Sequence, residues 1–195
     1  MAQKNIISQP ARILPGLNIW SATACLLLVG YSAAKAWNGG DFDVYLHAAA
    51  KLSRLENIYQ PPFLNNLAYI YSHFFALILI PFTWVPRVVT EFGWLLANLF
   101  FLYRIWQLTV YYLHLKLLLP WQYRTVQAVS FALTLRFMLY NFDMIQLTLF
   151  LLYASMESVY LIGKNRKTAG AVLLGVAMNI KILPLVLLPY LFYRR

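Results

Sequence analysis

An all-α, polytopic membrane fold is what the sequence predicts, with about six hydrophobic helices and an amphipathic surface helix after the first. Composition, the spacing of apolar runs and the placement of charge predict it. Of 195 residues, 62% are hydrophobic and only 11% charged, whereas a soluble domain carries about a quarter charged residues. A chain this long has too few polar side chains to coat a water-soluble core. Aromatic residues make up 17%, which suits Trp and Tyr rings settling at membrane interfaces.

The net charge is +10, but the cations are not gathered on one face. They sit between apolar runs, at Arg87, Lys116, Arg124, Lys164–Arg166–Lys167 and Arg194–Arg195. That placement reads as topology signal and lipid-headgroup contact, not as a nucleic-acid surface. Cys25 is the sole cysteine, so neither an intrachain disulfide nor a thiolate metal cluster is available.

Crossing the hydrocarbon core takes about 20 apolar residues. The first run, 16–37, follows Lys4 and Arg12, exceeds a signal-peptide core and lacks a cleavage site before Lys35, so it reads as a retained span. An outer loop follows at 38–67, and the remaining helices fill 68–195, with apolar runs at 68–85, 92–115, 126–140, 144–163 and 169–193. No internal repeat interrupts this single transmembrane domain.

Within the loop, Gly39–Gly40 ends the first span and either Asp41 or Asp43 is placed to cap the next helix. Val44, Ala48, Leu52 and Leu55 recur at helical spacing, with His47, Lys51 and Arg54 turned elsewhere. The pattern predicts an amphipathic helix on the membrane surface, stopped by Pro61–Pro62, with Tyr59 and Phe63 anchoring the return. Simple alternation of six spans then puts Lys164–Lys167 outside, against the positive-inside rule. One segment is therefore not a plain crossing. The last, interrupted by Lys181 and Pro184, is the first suspect, as a broken or re-entrant helix.

Charged groups inside apolar segments are costly and face a cavity or a partner. Arg104, Arg136, Glu157 and Lys181 are such groups, with snorkelling or a structural ion pair as the bland reading of each. Asp41 and Asp43 stand just beyond the first span, where a carboxylate serves as an N-cap, a general base for a hydroxyl substrate, or a metal ligand. His73 opens the second apolar run near the same interface; Asn141 and Gln146 flank Asp143 in a polar turn. No zinc-type spacing, Walker loop, dinucleotide turn or nucleophile elbow occurs.

Taken in order, Asp41-Phe42-Asp43-Val44-Tyr45, Ala48-Ala49-Ala50, Asn57-Ile58-Tyr59, Tyr69-Ile70-Tyr71, Pro81-Phe82, Asn141, Gln146 and Gly170 to Lys181-Ile182-Leu183-Pro184 resemble a known pattern. It is that of the N-terminal half of the polyprenyl-phosphate-dependent mannosyltransferase-like proteins of glycosyltransferase family 87, which have the GT-C fold. The resemblance implies transfer of a mannose-like sugar from a polyprenyl-phosphate donor to a lipid or glycan acceptor at the outer membrane face. Asp41 falls on the expected base, with Asp43 in reserve. Lys181 of the Lys-x-x-Pro element falls on the donor phosphate, with Arg136, Asn141, Gln146, Tyr45 and His73 as further substrate-binding positions. No metal ligand set is implied, and no cofactor beyond the lipid-linked donor; a divalent metal stays open.

The sequence departs from the family at Ser72-His73, where prolines are common after the Tyr-x-Tyr element, and at Ile145, where glycine often precedes the glutamine. Members run to roughly twice this length, so the resemblance also implies a C-terminal half, supplied by a second chain if this one is incomplete. The expected setting is the cell membrane, multi-pass, of the bacterial inner-membrane kind. The rival readings are a non-catalytic, truncated membrane protein or scaffold and, ranked last for want of inverted repeats, a transporter.

Overall fold

The computed structural model describes residues 19–193; the regular elements there are all helices, joined by irregular segments of which the longest is 54–72, with one isolated bridge between Leu64 and Leu67. The side chains of 19–26, 28 and 116, Cys25 and Lys116 among them, lie outside the described set, as do Lys4, Arg12, Arg194 and Arg195. The α-helices are α1 (Ile19–Asn38), α2 (Asp41–Ser53), α3 (His73–Leu79), α4 (Arg87–Tyr112), α5 (Pro120–Asp143), α6 (Thr148–Gly163), α7 (Lys167–Ile180) and α8 (Leu187–Tyr193). Short 3-10 turns follow α3 at Ile80–Trp84, α4 at Leu115–Leu117 and α7 at Leu183–Val186.

Among the described residues α4 alone is long and apolar enough to cross a membrane; α5 and α6 pass only if read as one span, and they are bent by 118° at their junction. At 1.5 Å per residue α4 extends about 39 Å, longer than a hydrocarbon core of about 30 Å. Helix boundaries follow local chemistry. Pro86 and Pro120 stand at helix starts, where a missing N–H costs nothing. Lys181, in extended geometry, ends α7 ahead of Pro184, so the last apolar run is broken where the sequence predicts.

Ring and ion contacts fix the helix directions. Trp94 Nε1 donates to the Gln146 carbonyl at 3.3 Å, Phe101 stacks on Tyr153 at 4.9 Å, and Tyr111 meets Tyr160 edge-on at 5.3 Å. Later residues of α4 thus meet later residues of α6, and the two run parallel. α7 packs antiparallel on α6, with Gly170 against it: a Cβ there would stand 2.7 Å from both the Ser158 carbonyl oxygen and Ile162 Cγ1. Arg104 and Glu157 form a two-pronged ion pair across α4 and α6, at 2.7 and 2.9 Å, the bland reading of those two charges.

Two expectations are corrected. Neither Asp41 nor Asp43 caps α2, because Gly40 occupies the N-cap position and both acids fall in the first turn. There they oppose the positive end of the helix dipole without closing a cap. The helix also ends at Ser53, before Pro61–Pro62, with Leu55 at φ 60 and almost fully exposed. Lys51 folds back to donate to the Gln60 carbonyl at 2.6 Å and is buried. With Phe42, Asp43, Val44, Tyr45, Ala48 and Ala49 also buried, α2 is enclosed on more sides than a half-immersed surface helix.

The 68–85 run also differs from a plain crossing. It contains an irregular start, the two-turn α3 and a 3-10 turn at Pro81, and both of its ends return to α2. At one end Tyr71 and Phe75 pack on Tyr45; just past the other, Arg87 pairs with Asp43. The ends of α1 and α7, the start of α4 and the α5–α6 junction therefore gather at one pole of the molecule. The 113–119 connection and the Lys164–Arg166–Lys167 turn lie at the other.

Candidate functional site

The site is built at the junction of α2 with the turn between α5 and α6. The Asp41 N–H donates to the Met144 carbonyl at 2.8 Å, and Gln146 Nε2 donates to Asp41 Oδ2 at 3.2 Å. Gly40 is required by this docking, since a Cβ would stand 2.8 Å from the Met144 carbonyl oxygen. Gly39 sits at φ 77, where its N–H closes α1 on the Lys35 carbonyl at 3.2 Å. Ile145 faces Gly40 on the same side, its Cγ1 3.0 Å from where that Cβ would stand, and is fully buried and at φ 51. A β-branched residue in the left-handed region is strained by about 1–3 kcal/mol, held here by burial on all sides.

Asp43 is turned away from Asp41. Its Oδ2 accepts from Arg87 at 2.9 Å, and Arg87 donates with its other nitrogen to the Trp37 carbonyl at 3.1 Å. Glu91, one turn along α4 and fully buried, lies 4.0 Å from the Arg87 guanidinium. Asp143 is tied back to α1, accepting from the Tyr31 hydroxyl and pairing with Lys35 at 3.0 Å. The acids of this pole thus divide: Asp43 and Asp143 brace the helices, while Asp41 holds one hydrogen bond from Gln146 and is partly exposed.

From Asp41 a row of phenols leads to Lys181. Tyr45, buried one turn into α2, donates to the Tyr71 hydroxyl at 3.2 Å. The Lys181 ammonium stands over the Tyr71 ring, 5.8 Å from its centre. Burial pushes the Tyr45 phenol far above the usual range, with the Tyr71 hydroxyl and the Asp41 charge adding to it. Burial likewise raises Tyr71; the bond received from Tyr45 opposes this and the Asp41 charge adds to it. Both phenols stay protonated at neutral pH and keep a hydrogen to donate.

The sequence-selected residues separate accordingly. Tyr45 and Lys181 meet at Tyr71, and Asp41, bonded to Gln146, lies near enough for its charge to act on both phenols. Asn141, whose carbonyl accepts from the Gln146 N–H at 3.0 Å, is buried, with no partner for either side-chain amide atom. His73, at the start of α3, faces Tyr59 at 3.3 Å; that tyrosine also donates to the Tyr71 carbonyl at 2.7 Å and so pins the loop. Arg136 lies exposed on α5, two turns before the junction, and makes no ion pair with a described residue. Sequence reasoning passed over Arg87, Glu91 and Tyr71 as site residues. The Tyr69-Ile70-Tyr71 element signalled the last, but nothing in the spacing of Arg87 and Asp43 announces their pairing. Among the described residues no three His, Cys, Asp or Glu side chains converge on a metal-sized point.

The family model for glycosyltransferase family 87 matches residues 69–195, about two thirds of the chain. No curated protein and no solved structure matches it.

The brace at Asp43 yields a prediction. Arg87 is 46% exposed and the Asp43 side chain 10%, so their pair lies between surface and buried ion pairs in strength. A double-mutant cycle of Arg87→Gln and Asp43→Asn, read by unfolding in detergent, is expected to give a coupling of about 1 kcal/mol. Strict additivity would mean that the pair braces nothing.

Proposed function

Because the chain belongs to glycosyltransferase family 87, we propose that it moves a mannose-like sugar from a polyprenyl-phosphate donor to a hydroxyl of a lipid or glycan acceptor. The observation that carries this reading is the convergence of Asp41 and Lys181 around Tyr71 at one pole. A hydroxyl acceptor needs a base, and a phosphate leaving group needs a cation. Asp41 takes the acceptor proton as the acceptor oxygen bonds to the anomeric carbon. The bond from that carbon to the phosphate oxygen breaks, with its electron pair leaving on the polyprenyl phosphate. Attack opposite the leaving group inverts the anomeric configuration. Lys181 balances the charge that develops on the phosphate. Gln146 orients Asp41, and Asp43 acts as a positioning residue through Arg87. Arg136, exposed two turns away along α5, is available to a donor phosphate approaching through lipid.

The setting is the cell membrane, with 1–195 as one transmembrane unit and 38–67 on the outer side. Taking α1, α4, α5, α6 and α7 as crossings and 68–85 as a segment that stays with α2 removes the conflict with the positive-inside rule. The Lys164–Arg166–Lys167 turn then falls on the inner side, and Asp41 and Lys181 on the outer. Five of the six acids lie toward the outer pole, and the sixth, Glu157, is paired with Arg104.

Two outcomes are expected. In a Cys25→Ser background, cysteines at Leu55 and Trp84, both largely exposed, should be labelled from one side of sealed vesicles and one at Asn165 from the other. Labelling of the Trp84 position together with Asn165 would make 68–85 a crossing. In membranes supplied with radiolabelled polyprenyl-phosphate sugars, Asp41→Ala and Lys181→Ala should each lower transfer about 100-fold or more. Transfer unchanged in Asp41→Ala would remove the proposed base, and a wild type that folds but transfers nothing would favour the non-catalytic reading.

A further inference from the structure

We propose that Tyr71 is a donor-binding residue, its hydroxyl joining the Lys181 ammonium in holding the phosphate of the lipid-linked substrate. The inference rests on the glycosyltransferase reading and adds a residue that the sequence did not nominate.

The geometry begins with Tyr45, whose hydroxyl donates to the Tyr71 oxygen at 3.2 Å. Because the Tyr71 oxygen already accepts that bond, the Tyr71 hydrogen is directed elsewhere. No described group accepts it, and the ring is half-buried, so one edge is open. The loop that carries it is fixed from three sides. Tyr59 donates to the Tyr71 carbonyl at 2.7 Å, Tyr69 donates to the Ser72 carbonyl at 2.8 Å, and Ser72 caps α3 by accepting from the Phe75 N–H at 3.3 Å. Phe75 and Tyr45 then hold the ring edge-on, at 5.8 and 5.0 Å. A donor held this firmly loses little entropy on binding.

Lys181 supplies the charge. It sits over the Tyr71 ring, where helix α7 breaks, and makes no ion pair with a described residue. An ammonium and a phenol hydroxyl side by side match a phosphate oxygen, one by charge and the other by direction. The remaining acid of the site, Asp41, accepts from Gln146 and lies close enough to raise the Tyr71 phenol. That order, cation, phenol, carboxylate, places the leaving group at one end of the site and the attacking hydroxyl at the other.

The test is direct binding of a polyprenyl monophosphate to the full chain in nanodiscs, with polyprenol lacking the phosphate as the comparison ligand. Tyr71→Phe keeps the ring beneath Lys181 and removes only the hydroxyl. It is expected to weaken monophosphate binding about tenfold and leave polyprenol binding unchanged. In a Lys181→Ala background the same change should cost less, because the two groups act on one phosphate. Tyr59→Phe, which loosens the loop without touching the hydroxyl, is the structural control. The proposal is overturned if Tyr71→Phe binds the monophosphate as the wild type does, if polyprenol binding falls equally, or if Tyr59→Phe reproduces the loss. A wild type that fails to bind the monophosphate at all would instead overturn the donor reading on which this rests.

Discussion

The arrangement depends on one backbone hydrogen bond between segments far apart in the chain, from the Asp41 N–H to the Met144 carbonyl at 2.8 Å. It pins the first turn of α2 onto the junction of α5 and α6. The approach is possible because Gly40 has no side chain, and it is completed by Ile145 in a backbone region that L-residues avoid. Strain of this kind persists where the surroundings over-determine it, and it recurs at functional sites. A φ of 51 at Ile145 is one that glycine adopts without strain. This chain pays for a buried isoleucine with backbone strain and gains apolar contact beneath Asp41 in exchange.

Around that pin, polar groups sort into braces and free ends. Arg87 gathers Asp43 and the Trp37 carbonyl; Lys35 and Tyr31 hold Asp143; Arg104 holds Glu157. Each brace joins segments far apart in sequence; the first two lie at the pole where Asp41 stands, and the third ties α4 to α6 farther along. Asp41 and Lys181 are held more loosely, by one amide and by one ring. Groups available for chemistry are those the packing leaves incompletely paired.

Much of this was legible in the sequence where a pattern is local. Apolar runs locate α4 and the α6–α7 pair, Lys181 with Pro184 locates the break after α7, and Gly39–Gly40 locates the end of α1. The patterns that failed depend on tertiary partners. Leu55 continues the helical spacing of α2 but lies beyond its end, because the chain turns left-handed there and Lys51 folds back onto Gln60. Residues 68–85 are as apolar as a span, yet Tyr45 and Asp43 of α2 hold both ends, and hydropathy contains no record of that. At the site, Asp41, Tyr45, Gln146 and Lys181 stand out in the sequence, whereas Tyr71 shows there only as part of the Tyr69-Ile70-Tyr71 element and takes on a role through its contacts with Tyr45 and Lys181. Asp43 stands in the sequence as the reserve to Asp41, and pairing with Arg87 gives it a different role.

The most direct test of the account is single-turnover transfer by purified protein in nanodiscs, with donor binding measured on the same samples of wild type and Asp41→Asn. Asparagine keeps the shape and can still meet Gln146, but it cannot take a proton. Donor binding is expected to stay close to wild type with transfer lost. Transfer at the wild-type rate by Asp41→Asn would contradict it, and the base would then have to be sought elsewhere in the chain.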